Sequence, residues 1–326
     1  MLEISPSALL VLLTSTISLS LYLLSIKKYP LNKFSLFFWT HLFTYGFFAF
    51  FVILHEFFLE QEHLQAVHEF MTEITLTNLP FYFLEGLITI GSIILMKELM
   101  SISTMTVVIS FTQINVLFTT IGVFLLGNPT SMKSFIGILI IFFGALIAGL
   151  KKYSFNVFKD RDPQLFKLGS IYALLQAARI WIAYLCTAKM NPTTHGILQT
   201  LNKHLQIIPF APMTPLHFNM AVQVIIVVSL FLYIRYYLRE PESIMNGIKN
   251  HYKIIIILSI LYTGFLFLYL KSFSMVQDKE IIIGINKIFV PITALLGYYF
   301  YQTQPSKQTI LGISIIMLGS LYTIFA

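Results

Sequence analysis

The chain has 326 residues, of which 57% are hydrophobic and 11% charged, with a mean hydropathy of +0.80 and a formal net charge of +7. No water-soluble domain hides that much apolar surface, so the composition excludes the soluble classes and points to a polytopic membrane protein. The positive charge is not a nucleic-acid footprint, because the basic residues lie mainly in short connections between apolar segments, and no nucleic-acid partner is expected.

A spanning helix needs roughly 20 mostly apolar residues, and ten such spans follow in order. The first, Ala8 to Leu24, lacks a basic n-region and a small-x-small site after it, so it reads as a retained span and not as a cleaved signal. The second, Phe34 to Phe57, leads into "EFFLEQEHLQAVHEFMTEIT", which holds five Glu and no Lys or Arg. There His63 and His68, with His55 just before, miss the HExxH pattern. Five residues apart, they stand about 140° around a helix, so the segment reads as a solvated or interfacial acidic helix and no metal is expected. The third span, Leu79 to Met96, carries Glu85, Thr89 and Ser92 as a stripe and ends beside Lys97. The fourth, Met105 to Leu126, carries Thr112, Asn115 and Thr119, with Gln113 adjacent.

The fifth span, Phe135 to Leu150, is apolar and closes on the basic loop "KKYSFNVFKDRDPQLFK". The sixth, Leu168 to Thr187, sets Tyr172, Gln176, Arg179 and Cys186 on one face. Cys186 is the only cysteine, so no intrachain disulfide forms. A long connection from Lys189 to Asn219 has room for a short amphipathic surface helix. The seventh span is Met220 to Leu238, and the eighth, Ile254 to Leu270, ends at Lys271. The ninth, Ile281 to Tyr301, holds Asn286 and Lys287, with Gly284, Lys287, Pro291 and Tyr298 on one face. The tenth is Thr309 to Phe325.

Charge at bilayer depth costs at least a few kcal/mol, so such groups face a cavity or a partner. Lys287 lies about 10 Å into its helix at 1.5 Å per residue, near the limit of snorkelling. It reads either as a cavity cation or as a lysine reaching the headgroups or paired with Glu85. Arg179 either lines a pathway or plays a structural part. Glu85 reads as a coupling proton site or, preferably, as the counter-ion of Arg179 or Lys287. Lys97 and Lys271 occupy similar places in the two halves, as interfacial anchors or as attractors of an anion at opposite mouths of one cavity. The candidate substrate contacts are therefore Arg179, Lys287, Asn286, Gln113, Asn115, Gln176, Glu85, Lys97 and Lys271. Trp181, Tyr184, Tyr262 and Tyr269 could stack on a ring-bearing ligand.

Setting "SMKSFIGILIIFFGALI" (131–147) over "SKQTILGISIIMLGSLY" (306–322) gives seven identities in seventeen, including Gly137 with Gly312 and Gly144 with Gly319; the same offset pairs Gly122 with Gly297. Each pair of glycines seven apart lies on one helix face, where backbones approach closely. The offset relates spans five apart, an odd number, so the halves sit in opposite senses. The fold class is all-α integral membrane, ten transmembrane helices as two inverted five-helix repeats. Residues 1–150 form the first repeat, 151–167 a connecting basic loop and 168–326 the second repeat. Fourteen of the 21 Lys and Arg fall in odd-numbered loops, which the positive-inside rule places in the cytoplasm, with both termini outside.

"ISFTQINVLFTTIGVFLLGNPTSMKSFIGILIIFFGALIAGL" and "INKIFVPITALLGYYFYQTQPSKQTILGISIIMLGSLY" resemble the fourth-fifth and ninth-tenth helices of the drug/metabolite transporter superfamily, EamA-type. Asn128 and Pro129 follow Gly127, where that type has an acidic residue. Lys287, with "QTQPS" closing its span, is similar to the nucleotide-sugar and triose-phosphate translocator branch, in which a ninth-helix lysine meets the anionic part of the substrate. Asn115 stands near the place of that branch's second, fourth-helix lysine. The resemblance implies ten helices in two inverted repeats, alternating access, both termini in the cytoplasm and a bacterial inner membrane.

The resulting expectation is a secondary transporter of a small anionic organic metabolite, of the phosphorylated-sugar or nucleotide-sugar class. An amino-acid or drug-like exporter of the EamA type is the alternative within transport. A membrane-embedded lipid-modifying enzyme would need a cluster of His, Asp or Ser with catalytic spacing, and none is found. The chain is expected to be no enzyme, to need no cofactor and, lacking a P-loop, to use no ATP directly. Its expected partners are the small-molecule substrate and the lipid bilayer, and it is expected to be a monomer or homodimer.

Overall fold

The computed structural model describes residues 6–28, 33–59, 79–125, 131–150, 162–187, 215–275, 285, 287–302 and 304–325. His63, His68, the connection at 188–214 and Asn286 lie outside them. The described elements are helices: α1 (Pro6–Lys28), α2 (Lys33–Leu59), α3 (Leu79–Ile102), α4 (Met105–Thr112), α5 (Asn115–Leu125), α6 (Met132–Ala148), α7 (Pro163–Thr187), α8 (Pro215–Leu232), α9 (Pro241–Met275), α10 (Phe289–Tyr301) and α11 (Lys307–Phe325). Pro6, Pro163, Pro215 and Pro241 each open a helix, where the missing N–H costs nothing and the fixed φ suits the first turn. A π-helical turn, Tyr233–Tyr237, continues α8, and α9 kinks at His251, whose φ is −137°.

Among the described residues, six helices are long and apolar enough to cross a membrane: Pro6–Ile26, Leu79–Ile102, Pro163–Ala183, Phe218–Tyr237, His251–Tyr269 and Lys307–Phe325. Shorter apolar helices, Phe34–Phe50, Thr106–Gly122, Met132–Ala148 and Phe289–Tyr301, fall where the second, fourth, fifth and ninth spans were expected. Buried positions include Ser15, Thr16, Ser20, Ser110, Glu85, Gln223 and Lys287, while Leu10, Phe83, Phe124, Phe143 and Leu318 are exposed. Polar groups inside and large apolar groups outside suit a chain dissolved in lipid. Several internal hydroxyls satisfy themselves on their own helices, as with Thr16 on the Leu12 carbonyl (2.7 Å) and Ser320 on that of Ile316 (2.7 Å). The chain is a multi-pass membrane protein, all-helical among the described residues.

Contacts divide it into two units. One comprises 1–28, 91–178 and 264–326, the other 29–90 and 179–263, so each draws segments from both sequence halves.

In the first unit α6 and α11 pack antiparallel through the repeated glycines. A Cβ at Gly144 would stand 2.8 Å from the Gly312 carbonyl oxygen and 2.8 Å from Ile316 N, and one at Gly319 would stand 2.8 Å from the Gly137 carbonyl oxygen and 2.8 Å from Ile141 N. The sequence offset converts each of these contacts into the other, so the interface is locally two-fold. The caps repeat too. Ser131 Oγ accepts from Ser134 N, and Ser306 Oγ from Thr309 N, both at 3.1 Å. Elsewhere in this unit the Phe111 ring fills space left by Gly149 and Gly169, where a Cβ would collide with it, and meets the Phe166 ring at a tilt with centroids 4.7 Å apart. Helix α1 joins α10 through Thr293 Oγ1 donating to Ser20 Oγ (2.9 Å) and Tyr301 OH donating to the Leu24 carbonyl.

In the second unit α2, α8 and α9 are joined through polar contacts as well as rings. Ser259 Oγ donates to the Thr40 carbonyl (3.1 Å), and Trp39 Nε1 to that of Ile244 (2.7 Å). On α3, Tyr82 meets Phe218 of α8 with ring centroids 5.6 Å apart, and Gly86 leaves room for Ile225. At the end of α8, Tyr236 and Tyr237 are exposed and the Arg235 guanidinium lies 5.9 Å from the Tyr236 ring, the aromatic-plus-basic combination of a membrane interface.

Candidate functional site

The fourth span, expected as one helix, is two. At its middle the Ile109 carbonyl accepts from Thr112 Oγ1 and Gln113 Nε2, both at 2.8 Å. With that acceptor occupied, Gln113 N bonds the Ser110 carbonyl (3.2 Å) and Ile114 N that of Phe111 (3.1 Å), tightening the backbone to i−3 bonds and ending α4. The ninth span is interrupted at the repeat-related place. Ile288, which the offset pairs with Gln113, bonds through its N–H to the Ile285 carbonyl (3.0 Å). Here the cause is Pro291, which offers no N–H to the Lys287 carbonyl one turn back.

Both interruptions bury polar groups. Lys287 is 9% exposed. Ser110 Oγ, Gln113 Oε1 and Asn115 Oδ1 are buried without hydrogen-bond partners among the described residues. An ammonium in such surroundings can hold a phosphate or carboxylate by a charge-assisted bond, and amide oxygens can accept from hydroxyls of a ligand.

The second unit holds the other charged groups. Arg179 Nε donates to Glu85 Oε1 at 3.0 Å, with side chains 22% and 5% exposed. Of the two partners the sequence offered Glu85, this is the one the structure pairs with it. The pair is single-toothed: Glu85 Oε2 is buried and has no hydrogen-bond partner among the described residues. Polar contacts continue from the arginine. The Tyr262 hydroxyl interacts with the Arg179 and Gln223 side chains, and His41 Nδ1 donates to Gln223 Oε1 at 2.9 Å. The His41 ring meets Tyr262 edge-on with centroids 5.3 Å apart. Side chains of four helices, His41 of α2, Gln223 of α8, Tyr262 of α9 and Arg179 of α7, thus form a chain of contacts that ends at Glu85 of α3.

Among the remaining candidates, Gln176 lies one turn before Arg179 on α7, half-buried, and Lys97 is half-buried near the end of α3. The side chains of Lys271 and Asn286 lie outside the described residues, as does that of Cys186. His41 and Gln223 were not anticipated, although an ionisable residue such as His41 in the apolar run "FSLFFWTHLFTYGFFAFF" is itself a signal. Tyr262 was anticipated as a stacking ring, and it takes its place here through its hydroxyl. No group of three or more His, Cys, Asp or Glu suited to a metal ion occurs among the described residues. Compared with known proteins, the sequence matches no family model and no curated protein.

Proposed function

We propose that the chain is a secondary transporter of a small anionic organic metabolite, of the phosphorylated-sugar or nucleotide-sugar class. It would work by alternating access of two inverted five-helix repeats. The observation that carries this reading is the pair of interrupted helices at repeat-related positions, one burying Lys287 and the other Gln113 and Asn115. Discontinuous helices in corresponding places of two halves are how transporters expose backbone and side-chain polar groups to a substrate at bilayer depth. The two-fold contact of α6 with α11 supports the inverted relation. Lys287 then holds the anionic group, and the amide oxygens read the neutral polar groups of the substrate.

A second reading, an exporter of amino-acid-like metabolites of the EamA type, is favoured by one observation: the buried Glu85 stands beside the part-exposed Arg179, charges of both signs that a zwitterion would need. A thermal-shift panel of purified protein decides between them. A ligand at about 100 times its dissociation constant adds about 2.7 kcal/mol of stability. Sugar phosphates or nucleotide sugars should stabilise the protein, with uptake of the same compounds by proteoliposomes. Stabilisation by amino acids alone would favour the second reading, and no uptake of either class would remove transport of both.

A further inference from the structure

The connection between α8 and the spanning part of α9 gathers cations and aromatic rings to which the transport reading gives no part. We propose that it is a binding site for the headgroup of an anionic phospholipid, whose phosphate meets Arg235, Arg239, Lys249 and Lys253 while Tyr236, Tyr237 and Tyr252 flank it.

Position is the first observation. One apolar span ends at Tyr237 and the next begins at His251, so Arg235 and Arg239 stand two residues either side of the first boundary, and Lys249 and Lys253 two residues either side of the second. All four cations are exposed, as are the three tyrosines. Glu240 and Glu242, also exposed, are the acids of this stretch, so residues 233–253 carry four cations against two anions. Helix α2 fastens both sides of the connection within its first two turns. Phe34 meets Tyr233 with ring centroids 5.2 Å apart, Phe38 meets Phe231 at 6.1 Å, and Trp39 Nε1 donates to the carbonyl of the buried Ile244 at 2.7 Å. The cations that follow α8 and those that precede the second span are thereby held at the same end of one unit.

The backbone supplies the second observation. Leu238 N bonds the Tyr233 carbonyl at 3.0 Å, five residues back, and this wider turn stacks the Tyr233 and Tyr237 rings with centroids 4.9 Å apart. Past the turn, Arg239 sits in the left-handed region with φ 56°, where glycine is the favoured residue. Its side chain is exposed, so packing does not ask for an arginine there, and a strained position that keeps a cation points to a contact outside the protein.

The chemistry selects the lipid. Guanidinium forks bond two phosphate oxygens at once, lysines add point charge, and tyrosines settle at headgroup depth. A phosphatidylcholine headgroup carries its own ammonium beside the phosphate and repels such a cluster, whereas an anionic headgroup keeps its full charge.

Spin-labelled phosphatidylglycerol and phosphatidylcholine, each added to the full chain in phosphatidylcholine vesicles, test this without any substrate, so failure here leaves the transport reading untouched. Wild-type protein should bind phosphatidylglycerol several-fold more strongly, and salt should weaken the preference. Arg235→Gln/Arg239→Gly should lose most of it while unfolding at an unchanged or higher temperature, since glycine relieves the strain at 239. If that variant does not fold, Lys249→Gln/Lys253→Gln reads the other side of the same site and should lose the preference too. Lys133→Gln/Lys307→Gln removes two exposed cations elsewhere and should keep it. No wild-type preference, a preference retained in the site variants, or an equal loss in the control pair would each overturn the proposal. So would displacement of phosphatidylglycerol by inorganic phosphate beyond that by chloride of equal ionic strength, which would assign the cluster to a soluble anion.

Discussion

Gly144 of α6 and Gly312 of α11 oppose each other across the antiparallel pair, each carbonyl oxygen standing where the other's Cβ would be, at 2.8 and 2.6 Å. A methyl group at either position meets backbone that cannot rotate away. Gly144→Ala and Gly312→Ala should each destabilise the protein by about 1–3 kcal/mol, the range for overpacking, and by similar amounts because the contact is reciprocal. Gly46, with nothing within 4 Å of its Cβ position, is the control, and Gly46→Ala should be neutral or slightly stabilising. Thermal unfolding in detergent measures all three, and an unchanged stability at either 144 or 312 would show that the two backbones can separate without loss.

The Glu85–Arg179 pair should couple strongly in a double-mutant cycle. Truncating one partner leaves the other as an uncompensated buried charge, so Arg179→Gln should cost about 3–5 kcal/mol. The double variant Glu85→Gln/Arg179→Gln should cost less than Arg179→Gln alone, since two amides can hydrogen-bond where two charges did. Additive losses would mean the side chains contribute separately to stability.

Lys287→Gln keeps a polar side chain of nearly the same reach but loses the ionic part of a charge-assisted bond, about 1.5–3 kcal/mol. Substrate affinity should fall by about 10–100 times at 1.4 kcal/mol per tenfold. Folding stability should hold, because a buried charge is removed together with its desolvation cost. Lys287→Arg should rescue only partly, the guanidinium being planar and broader than an ammonium. Uptake of glucose 6-phosphate per folded molecule is the measurement. Unchanged uptake with lowered stability would assign Lys287 to packing.

Gln302 ends α10 in the left-handed region, with φ 52° and ψ 22°, its N–H on the Tyr298 carbonyl at 2.8 Å. The repeat offset pairs it with Gly127, the residue type this backbone favours. Relief of left-handed strain exceeds the added chain entropy of a glycine, so Gln302→Gly should stabilise by about 0.5–1 kcal/mol in the same unfolding assay. A loss of stability would show that the glutamine side chain contributes more than its backbone costs.

The sequence made some of this legible and not the rest, for identifiable reasons. Apolar runs and aligned glycines announce spans and close helix contacts because both depend on local composition, and the matching serine caps follow the same offset. The interruption after Thr112 was not legible, because it depends on two side chains competing for one carbonyl, that of Ile109. Pro291 was visible, but a proline in the first turn of a helix and one that interrupts a longer helix read alike in sequence. Glu85 had two cations to choose from, and only the packing of α3 with α7 selects Arg179. The contacts of His41, Gln223 and Tyr262 join helices far apart in the chain, and nothing in one sequence says which of their faces meet.

The two interrupted spans differ in whether they can heal. Pro291 has no amide proton in any conformation, so the gap it leaves at the Lys287 carbonyl is written into the covalent chain. The gap in the fourth span is held by the Thr112 hydroxyl and the Gln113 amide on the Ile109 carbonyl, and two rotamer changes would return that acceptor to the backbone. The ninth span therefore carries a break that no side-chain movement repairs and the fourth a latch, so two spans of matching sequence pattern would not be mechanically equivalent.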